Sequence, residues 1–395
     1  MPCLFTSRAE HDGDVEYILL ATVVITALVF DFTNGFHDTA NAMATSIATG
    51  ALRPRIAVIV SAVLNLAGAF LSIKVATTIA SGIVDAKSIT PSVVFAGLVG
   101  AIIWNLLTWY FGLPSSSSHA LIGGVVGATA VAVGTGAVHG KGLVSDVLIP
   151  AAIAPILAGV VALLATLVAY AIKGRTNDEP TTRGFRYGQV ASASLVSLAH
   201  GTNDAQKTMG VITLALIAGG NLAAGSNPPL WVIMSAGTAI ALGTYVGGWR
   251  VIRTMGSRLT PIEPPQGFAA ETSSSVVILA SSHFGYPLST THVTSGGIVG
   301  SGLGRRLAQV RWGIAGRMVV AWLVTLPAAA LVGGLVAWGS GVVGRATGEL
   351  VIAIVALIAA GALFLASRRD PVGPDNAIES PASPATATSQ ERVPS

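Results

Sequence analysis

The chain has 395 residues and a formal net charge of +4; 52% of its residues are hydrophobic and only 10% are charged. A soluble domain carries about 25% charged residues, so the polar surface that would keep this chain in water is missing. These proportions exclude a soluble enzyme, a nucleic-acid-binding domain and a disordered hub, and they leave a multi-pass protein of the lipid bilayer.

In chain order, residues 1–16 carry Arg8, Glu10, Asp12, Asp14 and Glu16, unlike the basic opening and small-residue cleavage site of a secretory signal. The single cysteine, Cys3, excludes an intrachain disulfide and any Cys-based metal cluster. A bilayer core of about 30 Å needs about 20 apolar residues per helix. Apolar runs lie near 17–50 (interrupted), 56–80, 92–112, 119–138, 147–172, 188–218 (interrupted), 230–249, 268–285, 288–304 (short), 318–338 and 348–367. The pattern predicts an all-α polytopic membrane protein with ten to twelve segments. From Asp370 the chain is rich in Pro, Ala, Ser and Thr without apolar period, which predicts a disordered tail.

Basic residues concentrate at Arg53/Arg55, Lys173/Arg175/Arg183/Arg186, Arg250/Arg253/Arg258, Arg305/Arg306/Arg311/Arg317 and Arg368/Arg369. Cytoplasmic loops collect Lys and Arg, so segments between these loops must come in even numbers, and they do. The N-terminus is then outside and the C-terminus cytoplasmic. Arg far outnumbers Lys, as in GC-rich bacterial genomes, and the membrane is read as a bacterial plasma (inner) membrane. The organisation is an extracytoplasmic segment 1–16, repeat 1 over 17–172, a basic linker 173–187, repeat 2 with a final helix over 188–367, and a cytoplasmic tail 368–395.

The two halves repeat. Asn34-Gly35-Phe36-His37-Asp38-Thr39-Ala40-Asn41 has its counterpart in His200-Gly201-Thr202-Asn203-Asp204-Ala205-Gln206-Lys207. Pro114-Ser115-Ser116-Ser117-Ser118-His119 matches Pro287-Leu288-Ser289-Thr290-Thr291-His292, and Gly123, Gly124 and Gly127 match Gly296, Gly297 and Gly300. The Asp204-bearing segment is the fifth after the Asp38-bearing one, so the repeats are inverted. Inverted repeats with broken helices and helical hairpins are the architecture of secondary transporters that alternate access around a midplane site.

A lone charge within the membrane costs about 2.5–3.5 kcal/mol on insertion scales, so Asp38 and Asp204 must face a cation, a partner or water. The glycine-bearing stretches around them read as helix breaks that expose carbonyls. Pro114 and Pro287 end one helix, and the hydroxyls after them cap the next. A free helix N-terminus beside hydroxyls is an anion site; plain capping is the blander alternative. Carboxylates repel an oxyanion, so the aspartates suit a coupling cation and the hydroxyls suit the anion. That combination points to an oxyanion–cation symporter. A serine hydrolase is disfavoured by the absence of a Gly-x-Ser-x-Gly elbow, and no nucleotide-binding loop is present. Glu271 fits a pathway lining or an interfacial cap equally well, and Lys74 is expected to snorkel.

These paired signatures, Gly35-Phe36-His37-Asp38-Thr39-Ala40-Asn41-Ala42 with Gly201-Thr202-Asn203-Asp204 and the two Pro-x-Ser-Ser/Thr-Ser/Thr-His hairpins, resemble those of the inorganic phosphate transporter (PiT) family over residues 20–367. The resemblance implies secondary symport of phosphate with protons or sodium, no resident cofactor, and a homodimer. Carried over by position, Asp38, Asn41, Asp204 and Asn203 are cation-coupling residues; Ser116, Ser117, Ser118, Ser289, Thr290 and Thr291 surround phosphate. His37 stands where many members have Asn, and Lys207 replaces the counterpart of Asn41. Lys207 is expected either to substitute for a sodium ion or to meet phosphate, and His37 and His200 are candidate proton carriers, since imidazole titrates in the right range. These departures make the chain more similar to the bacterial low-affinity, proton-linked branch, in which a divalent metal travels with the anion. The alternative passenger is sulfate or another oxyanion on the same fold.

Overall fold

A computed structural model describes residues 3–176, 179–305 and 310–378. The described residues are helical throughout, without a β-strand: α1 (Cys3–Ala48), α2 (Pro54–Gly68), α3 (Lys74–Gly82), α4 (Pro91–Tyr110), α5 (Ser117–Ala132), α6 (Gly140–Gly142), α7 (Ile149–Thr176), α8 (Glu179–Ala218), α9 (Leu230–Val246), α10 (Trp249–Arg253), α11 (Pro264–Phe284), α12 (Thr290–Arg305), α13 (Trp312–Val343) and α14 (Arg345–Ser367). Each of the eleven apolar runs becomes mostly helix. By length and composition alone, five helices can cross a membrane, or six if the bent pair Leu230–Val246 and Trp249–Arg258 counts as one span. The remainder are the polar Asp-bearing α8, the serine-rich α11 and shorter helices, which rely on protein neighbours.

The internal repeat is visible as exchanged packing. In repeat 1, Gly123 and Gly127 of α5 lie so close to α13 that a Cβ would sit 2.4 Å from the Leu326 carbonyl oxygen and 2.0 Å from that of Ala330. Their counterparts Gly296 and Gly300 of α12 meet the carbonyls of Pro155 and Gly159 on α7 at 2.3 and 2.0 Å. Likewise Gly68 of α2 approaches the Leu198 carbonyl of α8 (2.3 Å), and Gly243 of α9 approaches that of Phe32 on α1 (2.0 Å). Each half therefore supplies the packing partner of the other, and only glycine permits these backbone approaches. The equivalent helices α1 and α8 run antiparallel: Asp31 lies beside Thr208, Asp38 groups with His200 and Asp204, and Thr49 donates to Gln189 at 2.7 Å. The repeats are inverted.

One expectation fails. The helix breaks expected at 34–41 and 200–207 are absent, and α1 and α8 run straight through the aspartates. Gly35 and Gly201 serve close contact instead; a Cβ on either would lie 2.2 Å from the Ile240 carbonyl or 2.1 Å from that of Asn65. The real breaks fall one helix later in each repeat, at 69–73 between α2 and α3 and at Gly247-Gly248 between α9 and α10, where the chain bends by 60°. Gly247 has a φ of +78° there, which side-chain-bearing residues rarely adopt.

The basic loops gather at one end. Lys173 and Arg305 both meet the Glu263 carboxylate (3.4 and 2.6 Å), Arg311 donates to the carbonyls of Ser257 and Arg258, and Arg250 donates to those of Ser367 and Asp370. The expected disordered tail differs over 371–378. Ala377 is buried, Ile378 reaches Gly256, and Arg253 donates to the Asn376 carbonyl at 3.1 Å, so this piece straps the basic end. Residues 379–395 of the expected tail, and Arg306, lie outside the described residues.

Candidate functional site: two inverted hairpins on a paired-aspartate centre

Four elements build the centre: the middles of α1 and α8, and the first turns of α5 and α12. Pro114 and Pro287 precede short extended segments, and each following helix is opened by a serine. The Ser116 hydroxyl oxygen accepts from the His119 N–H (3.1 Å), and that of Ser289 accepts from the His292 N–H (3.2 Å). Both N-termini therefore end at the centre, and the rings of His119 and His292 sit 4.9 Å apart, centroid to centroid. Ser116 and Ser289 thus cap their helices, while their neighbours turn elsewhere.

Ser117 donates to Asp38 Oδ2 at 3.0 Å, and Thr290 donates to Asp204 Oδ2 at 2.9 Å. Thr291 reaches Asp38 Oδ1 at 3.4 Å, which crosses from one repeat to the other. Asn41 Nδ2 donates to the hydroxyls of Thr290 and Thr291 (3.2 and 3.0 Å). Ser118 donates to the Leu288 carbonyl at 3.0 Å. The candidate cation, phosphate and proton residues named from the sequence all fall in or beside this one cluster, and all are buried.

Charge is arranged unequally. His37 Nδ1 lies 2.6 Å from Asp38 Oδ1, and His37 Nε2 faces the hydroxyls of Thr108 and Ser115. Asp204 has two nitrogen partners: His200 Nε2 at 2.8 Å and the Lys207 ammonium one turn further along α8. Lys207 also donates to the Leu288 carbonyl at 2.7 Å. The ammonium therefore sits on the Asp204 carboxylate. Asp38, His200 and Asp204 each offer a ligand atom, all within 4.8 Å of one another. Asn203 donates to Ser282 (2.9 Å) and the Tyr286 carbonyl (3.3 Å). The Oδ1 atoms of Asn41 and Asn203 are buried and receive no hydrogen bond, so both remain available as hard oxygen ligands.

Glu271 is buried on α11 and accepts from Thr45 (2.5 Å), Ser46 (2.6 Å), Ser192 (2.6 Å) and Gln189 (3.2 Å). The interfacial-cap alternative is excluded; this carboxylate ties α1, α8 and α11 together between the centre and the basic end. Sequence reasoning missed Asp31, which is buried two turns before Asp38 on the same face of α1. Its signal was the seven-residue spacing. Lys74 is exposed and donates to the His283 carbonyl at 2.9 Å, in line with a lysine reaching the nearer interface.

With this geometry in place, comparison with known proteins is specific. A family model described as "Phosphate transporter family" matches residues 34–333. A Mycobacterium bovis protein named "Probable low-affinity inorganic phosphate transporter" is 59% identical over 368 residues, covering 92% of this chain and 87% of that protein. A Bacillus subtilis protein of the same name is 43% identical, covering 82% of this chain and 97% of that protein. The fold is similar to a solved structure described as "The sodium-dependent phosphate transporter", with a TM-score of 0.73, 23% identity, and coverage of 81% of this chain and 98% of that chain. This family comprises transporters rather than enzymes, and the chain belongs to the phosphate transporter family.

Proposed function

We propose that the chain imports inorganic phosphate across a bacterial plasma membrane by alternating access, as a proton-coupled symporter. The observation that carries this reading is the convergence of two capped helix N-termini, with Ser117, Thr290 and Thr291, on Asp38 and Asp204. Helix N-termini and hydroxyls stabilise an oxyanion. The carboxylates compensate its charge only if protons or cations accompany it. A phosphate oxygen that takes the place of Asp38 on Ser117, or of Asp204 on Thr290, gains donors that a neutral pocket would have to desolvate. Phosphate also differs from sulfate in carrying an O–H that can donate to a carboxylate.

Lys207 supports protons over sodium. Its ammonium already occupies the neighbourhood of Asp204 where a coupling ion would bind. Asp38, Asn41 and Asn203 still offer oxygens, and the Asp38–His200–Asp204 grouping has the mixed nitrogen and oxygen donors that suit a divalent metal travelling with phosphate as cargo. The inverted repeats supply two pseudo-equivalent gates around this centre. The gathered basic loops support a cytoplasmic C-terminus and an outer N-terminus.

Purified protein in proteoliposomes, supplied with radiolabelled phosphate, tests the substrate. Arsenate, which shares shape and protonation, should compete; a tenfold excess of sulfate should not. Equal competition by sulfate would refute the role given to the phosphate proton.

A further inference from the structure

We propose that Asp31 is the carboxylate that carries a coupling proton, at a station separate from the phosphate centre. Asp31 has this role only if transport is proton-coupled as proposed above, and its partners set it apart from the other buried carboxylates. Asp38 has His37, Asp204 has Lys207 and His200, and Glu271 receives four hydrogen bonds. Asp31 has 0% of its surface exposed, yet neither carboxylate oxygen receives a hydrogen bond of good geometry, and its nearest donors are the uncharged Thr208 and Asn34. An ionised carboxylate left in that state is costly.

Its surroundings favour exchange rather than permanent neutrality. Asn34 on α1 and Thr208 on α8 flank it, and their amide and hydroxyl atoms are themselves buried without partners. Asn34 lies between Asp31 and Asp38 at one-turn steps along one face of α1. Facing Asp31 from α8 are the Asp204 carboxylate and the Lys207 ammonium, two groups of opposite sign. On α1 itself the nearest ionisable groups are His37 and Asp38, about 10 Å away by helix rise. The helices α4 and α9, packed on the same part of α1, carry no acidic, basic or histidine side chain. Val23, Ala27 and Phe30, fully buried in one apolar cluster, precede Asp31 on α1 on its N-terminal side. Asp31 thus sits beneath an apolar plug, electrostatically linked to the centre but outside its hydrogen bonds.

The step is a simple proton transfer. With the outer gate open, the Asp31 carboxylate takes a proton from water; the neutral acid permits closure of the apolar plug. Once phosphate leaves inward, the proton departs to water on that side and the carboxylate is regenerated. Uncoupled slippage is suppressed because a carrier holding phosphate with Asp31 still charged buries one more negative charge and resists occlusion, whereas the empty carrier, without the anion, returns.

The test compares wild type, Asp31→Asn and Asp31→Glu in proteoliposomes with the membrane potential clamped. Two assays are run on each: phosphate/phosphate counterflow at equal pH, and accumulation driven by a pH step. A step of one unit sustains about a tenfold concentration ratio per coupled proton. Asp31→Asn should keep counterflow and lose about tenfold in accumulation ratio, while Asp31→Glu retains accumulation with a displaced pH profile. Unchanged accumulation by Asp31→Asn, or parallel loss of counterflow by a folded Asp31→Asn, would overturn the assignment of Asp31 alone. A wild type that accumulates phosphate only with sodium would overturn proton coupling itself, and the Asp31 proposal with it.

Discussion

Replacing Lys207 by Asn is the most informative single perturbation, because it restores the residue found at the equivalent place in repeat 1. Two things are removed: the ammonium on Asp204 and the donor to the Leu288 carbonyl. Breaking a buried ion pair by deleting one partner costs about 3–5 kcal/mol, while the Leu288 carbonyl keeps its hydrogen bond from Ser118. His200, 2.8 Å from Asp204, offsets part of this. The amide oxygen introduced by Lys207→Asn would join Asp204 as a ligand, so a cation can fill the gap. If that cation is sodium, a concentration 100 times its dissociation constant returns about 2.7 kcal/mol, most of the deficit. The assay is thermal unfolding of detergent-solubilised protein in choline, potassium and sodium buffers. Lys207→Asn should be strongly destabilised in choline and selectively rescued by sodium, whereas wild type should be indifferent to the ion. Identical sodium responses in the two proteins, or full stability of the variant in choline, would refute the argument that the ammonium stands in for an ion.

Three further expectations follow from particular contacts. Ser117→Ala and Thr290→Ala should each raise the KM for phosphate uptake several-fold, and each should cost about 1–3 kcal/mol of stability because a buried carboxylate loses a donor; unchanged KM in both would move phosphate away from the hairpins. Gly127→Ala and Gly300→Ala force a Cβ to within 2.0 Å of a carbonyl oxygen, so each should cost at least the roughly 1–3 kcal/mol of ordinary overpacking, read as loss of monodisperse protein on heating. Arg250→Ala removes donors to Ser367 and Asp370; limited proteolysis with trypsin at Arg368 and Arg369 should become faster as the strap over 371–378 loosens.

The sequence made the helical class, the repeat and the membership of the central cluster legible, because each leaves a local mark. The Pro-x-Ser-Ser/Thr-Ser/Thr-His runs announce capped helix starts, and the structure uses Ser116 and Ser289 in that way. Glycine was ambiguous. Gly35 and Gly201 look like breaks in one dimension but are contact points in three, since their meaning depends on Ile240 and Asn65 from other helices. Glu271 was ambiguous for the same reason: its four donors come from α1 and α8, distant in sequence. Asp31 was overlooked because no second copy of it exists; the repeat drew attention to paired residues and away from unpaired ones. The docking of 371–378 was hidden by a composition typical of disorder, whereas a few backbone carbonyls facing Arg250 and Arg253 suffice to hold it.

The central claim is that the paired-aspartate centre moves phosphate together with protons rather than sodium. Wild-type proteoliposomes loaded at high pH, then diluted into sodium-free medium at lower pH with radiolabelled phosphate, test it most directly. The account predicts accumulation above equilibrium that collapses when a protonophore is added and gains nothing from an inward sodium gradient. Accumulation that needs sodium and ignores the pH step would contradict it, and would return Asp38, Asn41 and Asn203 to a sodium site.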